Sequence, residues 1–120
     1  MKLVVEGPIR LVSEANQREH WTVRHRRNNC QQRDTSMLLK SNRDWYKLLT
    51  IPPPYRVTLT RIGGRTLDPD NLAGSCKHVQ DAVAAFLNVD DGDVDRVSWS
   101  YQQEKGPVGL RIEIEAGGQP

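Results

Sequence analysis

Cysteine is scarce in this chain. Among 120 residues there are two, Cys30 and Cys76, in no C-x-x-C pair and at no zinc-ligand spacing. A disulfide-stapled scaffold and a structural zinc site are thereby excluded, and a reduced cytoplasmic setting is expected. Long apolar runs are missing too. None approaches the roughly 20 residues of a membrane span, and the opening Met1-Lys2-Leu3-Val4-Val5-Glu6 turns polar too soon for a signal peptide. No internal repeat is present. Several catalytic and binding patterns are also lacking. Gly63-Gly64 is not followed by G-K-[ST], so it is a turn and not a P-loop. No G-x-S-x-G elbow occurs. His20, His25 and His78 do not stand at H-E-x-x-H spacing. An EF-hand loop starting at Asp68 would need an oxygen ligand at Leu72, glycine at Ala73 and glutamate at Val79, and all three fail. No zinc finger or basic zipper reads bases.

What is present reads as one domain, residues 1–116, with a loose tail over 117–120. At 37% apolar residues its core is modest, which favours a dimer. Leu3 to Ile9 is a short strand. Ser13 or Asn16 caps a helix that runs from Gln17 to about Lys40 and is almost bare of apolar residues. Pro52-Pro53-Pro54 ends the helical region. Tyr55 to Ile62 alternates as a half-buried strand. Leu72, Cys76, Val79, Val83 and Phe86 then recur at helical spacing, predicting one helix from about Asp70 to Leu87 with this stripe towards the core. Val97, Trp99 and Tyr101 alternate, as do Leu110, Ile112 and Ile114, and the two runs are expected to form a hairpin. The order β-α-β-α-β-β implies an α+β domain with two main helices on one side of a small mixed sheet. Large aromatics mostly bury, so Trp21 and Trp45 are expected to anchor helices.

The net charge of +2 says little, but its distribution says more. Residues 17–47 hold eight bases against three acids, whereas residues 60–96 hold seven acids against four bases. The first half suits phosphate and the second a cation. His20, Arg24, Arg27 and Gln31 share one helix face, and Arg26 and Arg33 another. With Arg65, just ahead of the acids, Arg24, Arg26, Arg27 and Arg33 are candidate nucleic-acid contacts. A solvated charged helix is the plainer alternative.

The acids centre on Asp68-Pro69-Asp70-Asn71-Leu72 and Asp90-Asp91. Each has an ordinary structural use. Asp68 suits an N-cap, Pro69 the first helical position, and Asp70 the helix dipole. Asp90-Asp91-Gly92-Asp93 suits a turn, and Lys77 suits a pair with Asp81. Oxygen-rich groups of this kind also suit Mg²⁺, and a metal beside a basic surface is a common means of cutting phosphodiesters.

Asp68-x-Asp70-Asn71-Leu72, Lys77-x-x-x-Asp81-Ala82 and Val89-Asp90-Asp91 together resemble the RusA family of Holliday junction resolvases, small endonucleases often carried by prophages. The resemblance spans roughly Tyr55 to Trp99. It implies a homodimer that needs Mg²⁺ or Mn²⁺ and resolves four-way DNA junctions by paired nicks. Asp68, Asp70 and Asp91 would be the essential carboxylates and metal ligands, and Lys77 the essential lysine. The lysine departs from the pattern of the family's best-known member, where it stands closer to the second aspartate. Here it follows Asp70 by seven residues, about 10 Å along a helix axis. Two other readings carry different expectations: a non-catalytic nucleic-acid-binding protein, and a metal nuclease acting on other branched DNA.

A straight helix from Asn71 to Leu87 would span roughly 25 Å and hold Asp70 and Asp91 apart. Either that helix is shorter or bent, with its following turn folding back, or a second chain supplies Asp91.

Overall fold

A computed structural model of the chain describes residues 1–11 and 21–117. The expected capping by Ser13 or Asn16, the helix start at Gln17 and the end of the tail lie outside the described residues. Eight elements follow one another: β1 (Lys2–Gly7), α1 (Trp21–Lys40), α2 (Trp45–Leu48), β2 (Tyr55–Gly63), α3 (Pro69–Ser75), α4 (Lys77–Leu87), β3 (Val97–Lys105) and β4 (Gly109–Glu115). The architecture is the expected α+β, a mixed four-stranded sheet in the order β1-β4-β2-β3 with helices on one face. Among the described residues no helix is long and apolar enough to cross a membrane.

The helix-covered face follows from strand alternation. Leu3 and Val5 of β1, Leu110, Ile112 and Ile114 of β4, Tyr55, Val57 and Leu59 of β2 and Val97 of β3 are all buried there. Leu39 of α1 and Val79, Val83 and Leu87 of α4 close the core from above, with Cys76 at the α3–α4 junction. α2 adds Leu48, while Trp45 is half-buried beside Phe86, with ring centroids 6.0 Å apart. The open face carries charges that pair across strands. Lys2 and Arg56 both reach Glu115 at 3.8 Å, and Arg111 reaches Glu6 at 2.8 Å and Glu104 at 2.9 Å.

Two expectations about elements are corrected. The last two strands do not form a hairpin: β3 pairs in parallel with β2, and β4 lies on the other side of β2, antiparallel to both β2 and β1. Burial accords with this order. Leu110, Ile112 and Ile114 of the central β4 are fully buried, whereas Trp99, Tyr101 and Gln103 of the edge strand β3 are half-buried. The second correction concerns the long helix, which breaks at Cys76 into α3 and α4. The apolar stripe survives the break, because Leu72, Cys76, Val79 and Val83 stay buried on one side.

The polar helix α1 has an inner face after all. Gln31 and Thr35 are buried in line with Leu39, each four residues on. Gln31 donates to the Arg10 carbonyl at 2.8 Å, and Thr35 Oγ1 donates to the Gln31 carbonyl at 2.7 Å. Both buried polar groups are therefore satisfied, and the helix packs without an apolar stripe.

Candidate functional site

The site is built along β3. Three successive side chains on its helix-covered face each hold one segment of chain. Trp99 Nε1 donates to the Asp91 carbonyl at 2.9 Å. The Tyr101 hydroxyl donates to Gln80 Oε1 of α4. Gln103 grips the backbone of Leu67 twice, accepting from its N–H at 2.8 Å and donating to its carbonyl at 2.7 Å. A single strand thus orients the acidic turn, α4 and the approach to α3. Sequence reading missed Gln80, Tyr101 and Gln103 as positioning residues. The available signal was the run Trp99, Tyr101, Gln103, whose alternate side chains all end in polar groups.

Asp68 is the N-cap of α3. Its Oδ1 accepts from the Asn71 backbone N–H at 2.9 Å and its Oδ2 from Asn71 Nδ2 at 3.2 Å. Pro69 takes the first helical position, and Asp70 lies exposed in the first turn. The expected structural uses of these residues are therefore all realised, which leaves their further chemistry open. Because asparagine caps about as well as aspartate, Asp68→Asn should keep the fold's stability in urea denaturation, whereas Asp68→Ala should lose about 0.5–2 kcal/mol.

Asp91 lies in the turn after α4, which ends at Asn88 in the left-handed conformation, φ 57°. The chain then doubles back. Val89 N–H donates to the Ala84 carbonyl at 3.0 Å, and Asp91 Oδ2 lies 3.5 Å from Gln80 Nε2, back in the first half of α4. The helix is interrupted at Cys76 and the following turn folds back, so Asp91 returns towards Gln80 and does not continue along the axis of α4. The acids are still not gathered: among the described residues, no group of three or more His, Cys, Asp or Glu side chains could hold a metal. Asp91 is tied near Trp99, while Asp68 follows the residue tied to Gln103. Those strand positions lie about 13 Å apart at 3.3 Å per residue.

Lys77 opens α4, is exposed, and makes no ion pair among the described residues, Asp81 included. Arg65 is also exposed, and its carbonyl accepts from Arg61 Nη1. Arg61 itself was not singled out from sequence. Its register opposite Leu110 and Gln103 places it on the helix-covered face, two residues beyond Leu59. On α1, Arg26 and Arg33 are exposed and line an open pocket with His25 and Asn29, and Arg33 lies 3.4 Å from Asp34. Arg27 is half-buried, in line with the buried Gln31, so that helix row turns inward. Arg24 lies within α1, with its side chain outside the described residues.

Burial tunes two groups near the site. Tyr101 is raised above the ordinary tyrosine range, first by burial and then by Cys76 and the Asp91 charge. Cys76 is pushed up to about 11 by burial, against smaller opposing effects of the Ser75 hydrogen bond and the Arg61 charge. The unfolded thiol ionises near pH 9.0, so the folded state holds its proton longer and loses stability as pH rises from there to about 11. A thiol reagent at neutral pH should label half-buried Cys30 and reach Cys76 only after denaturation. Two equivalents reacting with the native protein would contradict this.

The donor set around α3 is all oxygen, which is the chemistry Mg²⁺ or Mn²⁺ takes. Asp70 makes no hydrogen bond or ion pair among the described residues, and Asp68 keeps lone pairs beyond its two accepted bonds. Mg²⁺ commonly uses one or two carboxylates with waters and substrate phosphates, and the exposed carboxylates of Asp68 and Asp70 are donors of that type. Compared with protein-family models and with curated proteins, the chain matches none.

Proposed function

We propose that the protein is a Mg²⁺-dependent endonuclease, of the kind the RusA resemblance describes, that resolves four-way DNA junctions by paired nicks. The observation that carries the reading is the bracing of an exposed carboxylate pair. Asp68 and Asp70 sit at a helix start whose approach is gripped by Gln103, and Arg65 and Lys77, before and after them in the chain, are exposed and make no ion pair among the described residues.

The residues divide the work. Asn71 holds both oxygens of Asp68, fixing the direction of its remaining lone pairs. Asp70 presents a carboxylate to solvent one short step along the helix. Together they would hold the metal, with Asp91 joining from the returning turn of the same chain or from a second copy. The bound ion supplies an activated water and stabilises charge during in-line displacement at phosphorus. Lys77 offsets the negative charge that builds on the phosphate. Products would carry 5′-phosphate and 3′-hydroxyl ends. Paired nicks across a symmetric junction call for two sites related by a two-fold axis, hence a homodimer. Junction preference would come from DNA shape, because no base-reading element is evident.

A non-catalytic nucleic-acid-binding role is favoured by one observation: among the described residues the three aspartates do not form one metal-holding group. A single assay separates the readings. The purified protein is incubated with a synthetic four-way junction and a matching linear duplex, in Mg²⁺ or in EDTA. Symmetric nicks confined to the junction and requiring Mg²⁺ are the expected result. Junction binding with no cleavage under Mg²⁺ or Mn²⁺ would leave the acids as caps and turns. Cleavage of flaps or forks in preference to four-way junctions would move the substrate to other branched DNA.

A further inference from the structure

Beyond the acids, on the far side of Leu67, an open cavity of about 330 Å³ lies between the 63–66 loop and the end of β3. Its lining includes Arg65, Thr66, Gln103 and Lys105, with Leu72 and Tyr101 beneath. We infer that this cavity is a phosphate subsite, in which Arg65 and Lys105 hold a backbone phosphate of the DNA strand next to the nucleotide cut at Asp68 and Asp70. The inference rests on the nuclease reading and gives its substrate a direction along the edge strand.

Charge pairing separates this region from the rest of the sheet. On the open face, Lys2, Arg56 and Arg111 are each paired with a glutamate. Around the cavity, Arg65 and Lys105 are both exposed and make no ion pair among the described residues. Glu104 is the one acid in the lining, and it does not cancel them. Arg111 binds both its oxygens, at 2.9 and 3.2 Å, and holds its carboxyl below the usual range. Strand alternation also turns Glu104 to the open face, while Lys105 shares the face of Tyr101 and Gln103. The cavity therefore offers two available cations and the Thr66 hydroxyl, a donor set suited to a phosphate, on a wall that the Gln103–Leu67 clamp holds in place.

Position supplies the second argument. Leu67 is one residue from Arg65's neighbour Thr66 and one from Asp68, and Gln103 clamps its backbone on both polar atoms. Cavity and acids are thus joined through one rigid residue. Arg61 braces the loop from below by donating to the Arg65 carbonyl, so it acts as a positioning residue for Arg65. A phosphate held here would sit close enough for a neighbouring nucleotide of the same strand to lie over the carboxylates.

The test measures affinity for a fluorescent four-way junction in EDTA across a salt series, for wild type, Arg65→Gln, Lys105→Gln and the open-face control Arg56→Gln. Each lost phosphate contact should flatten the slope of log affinity against log salt by about 0.7–0.9. The slope should therefore flatten for Arg65→Gln and Lys105→Gln, on junction and duplex alike, and stay at the wild-type value for Arg56→Gln. Unchanged thermal melting of these exposed-residue variants shows that folding is intact. If wild type binds with a steep salt slope and Lys105→Gln matches it, the subsite is overturned while the nuclease reading stands. If wild type binds neither DNA at any salt, both fall. Inorganic phosphate perturbing Thr66 and Lys105 in a titration, with slopes unaltered by either variant, would make this a free-anion site and overturn its assignment to a strand.

Discussion

Asp70→Asn should abolish Mg²⁺-dependent nicking of a four-way junction, by at least about 100-fold, while leaving junction binding intact. Disturbing even the partners of metal ligands commonly costs 10–100-fold in affinity or activity, and losing the ligand itself should cost no less. The substitution is nearly isosteric. Asp70 is exposed and makes no side-chain hydrogen bond among the described residues, so the fold loses only its favourable interaction with the start of α3. That interaction is worth about 0.3–1 kcal/mol at an exposed site. Removing a negative charge beside bound phosphates should, if anything, tighten DNA binding. Gel-based cleavage and a binding isotherm on the same preparation check both halves of the expectation. Wild-type cleavage by Asp70→Asn would reduce that residue to its dipole role and require other metal ligands.

Leu59→Ala should destabilise the fold by about 2–5 kcal/mol. Leu59 is fully buried in β2, between Ile112 of β4 on one side and Tyr101 of β3 on the other. Both neighbours are held by their own strands, so the space left by the side chain cannot close easily. Small domains are stable by only about 5–15 kcal/mol, so this loss takes a large share of the total. Denaturant unfolding measures it directly. Val94→Ala, at a position 86% exposed, is the matching control and should stay within about 0.5 kcal/mol of wild type. A loss below 1 kcal/mol for Leu59→Ala would mean that the sheet repacks around this position.

Local chemistry is where the sequence was most legible. Asp68-Pro69-Asp70 reads as a helix start because capping, proline geometry and dipole all act within one turn, and α3 begins there. Leu72, Cys76, Val79 and Val83 read as one inner stripe because burial repeats with the helical period, and all four are buried. Tyr55, Val57 and Leu59 likewise read as one strand face. The break at Cys76 leaves no such trace. A single residue can leave the helical hydrogen-bond ladder while its side chain keeps its place in the stripe. In α1 the inner face was hidden for another reason: Gln31 and Thr35 bury as satisfied polar groups, and hydropathy counts them as surface.

Composition, alternation and helical period by themselves determined the α+β class, the order of strands and helical regions and the residues where acids and bases gather, since each depends on interactions within a few positions. Which strands became neighbours was decided only in the tertiary structure. Alternation orders the faces of a strand but does not name its partner, and the pairing of β4 with both β1 and β2 put it in the centre and left β3 at the edge. That placement brought Gln103 to Leu67, Tyr101 to Gln80 and Trp99 to Asp91, and set Lys105 beside Arg65. The first two join residues 36 and 21 positions apart through polar side-chain tips, a reach that no short window of sequence contains.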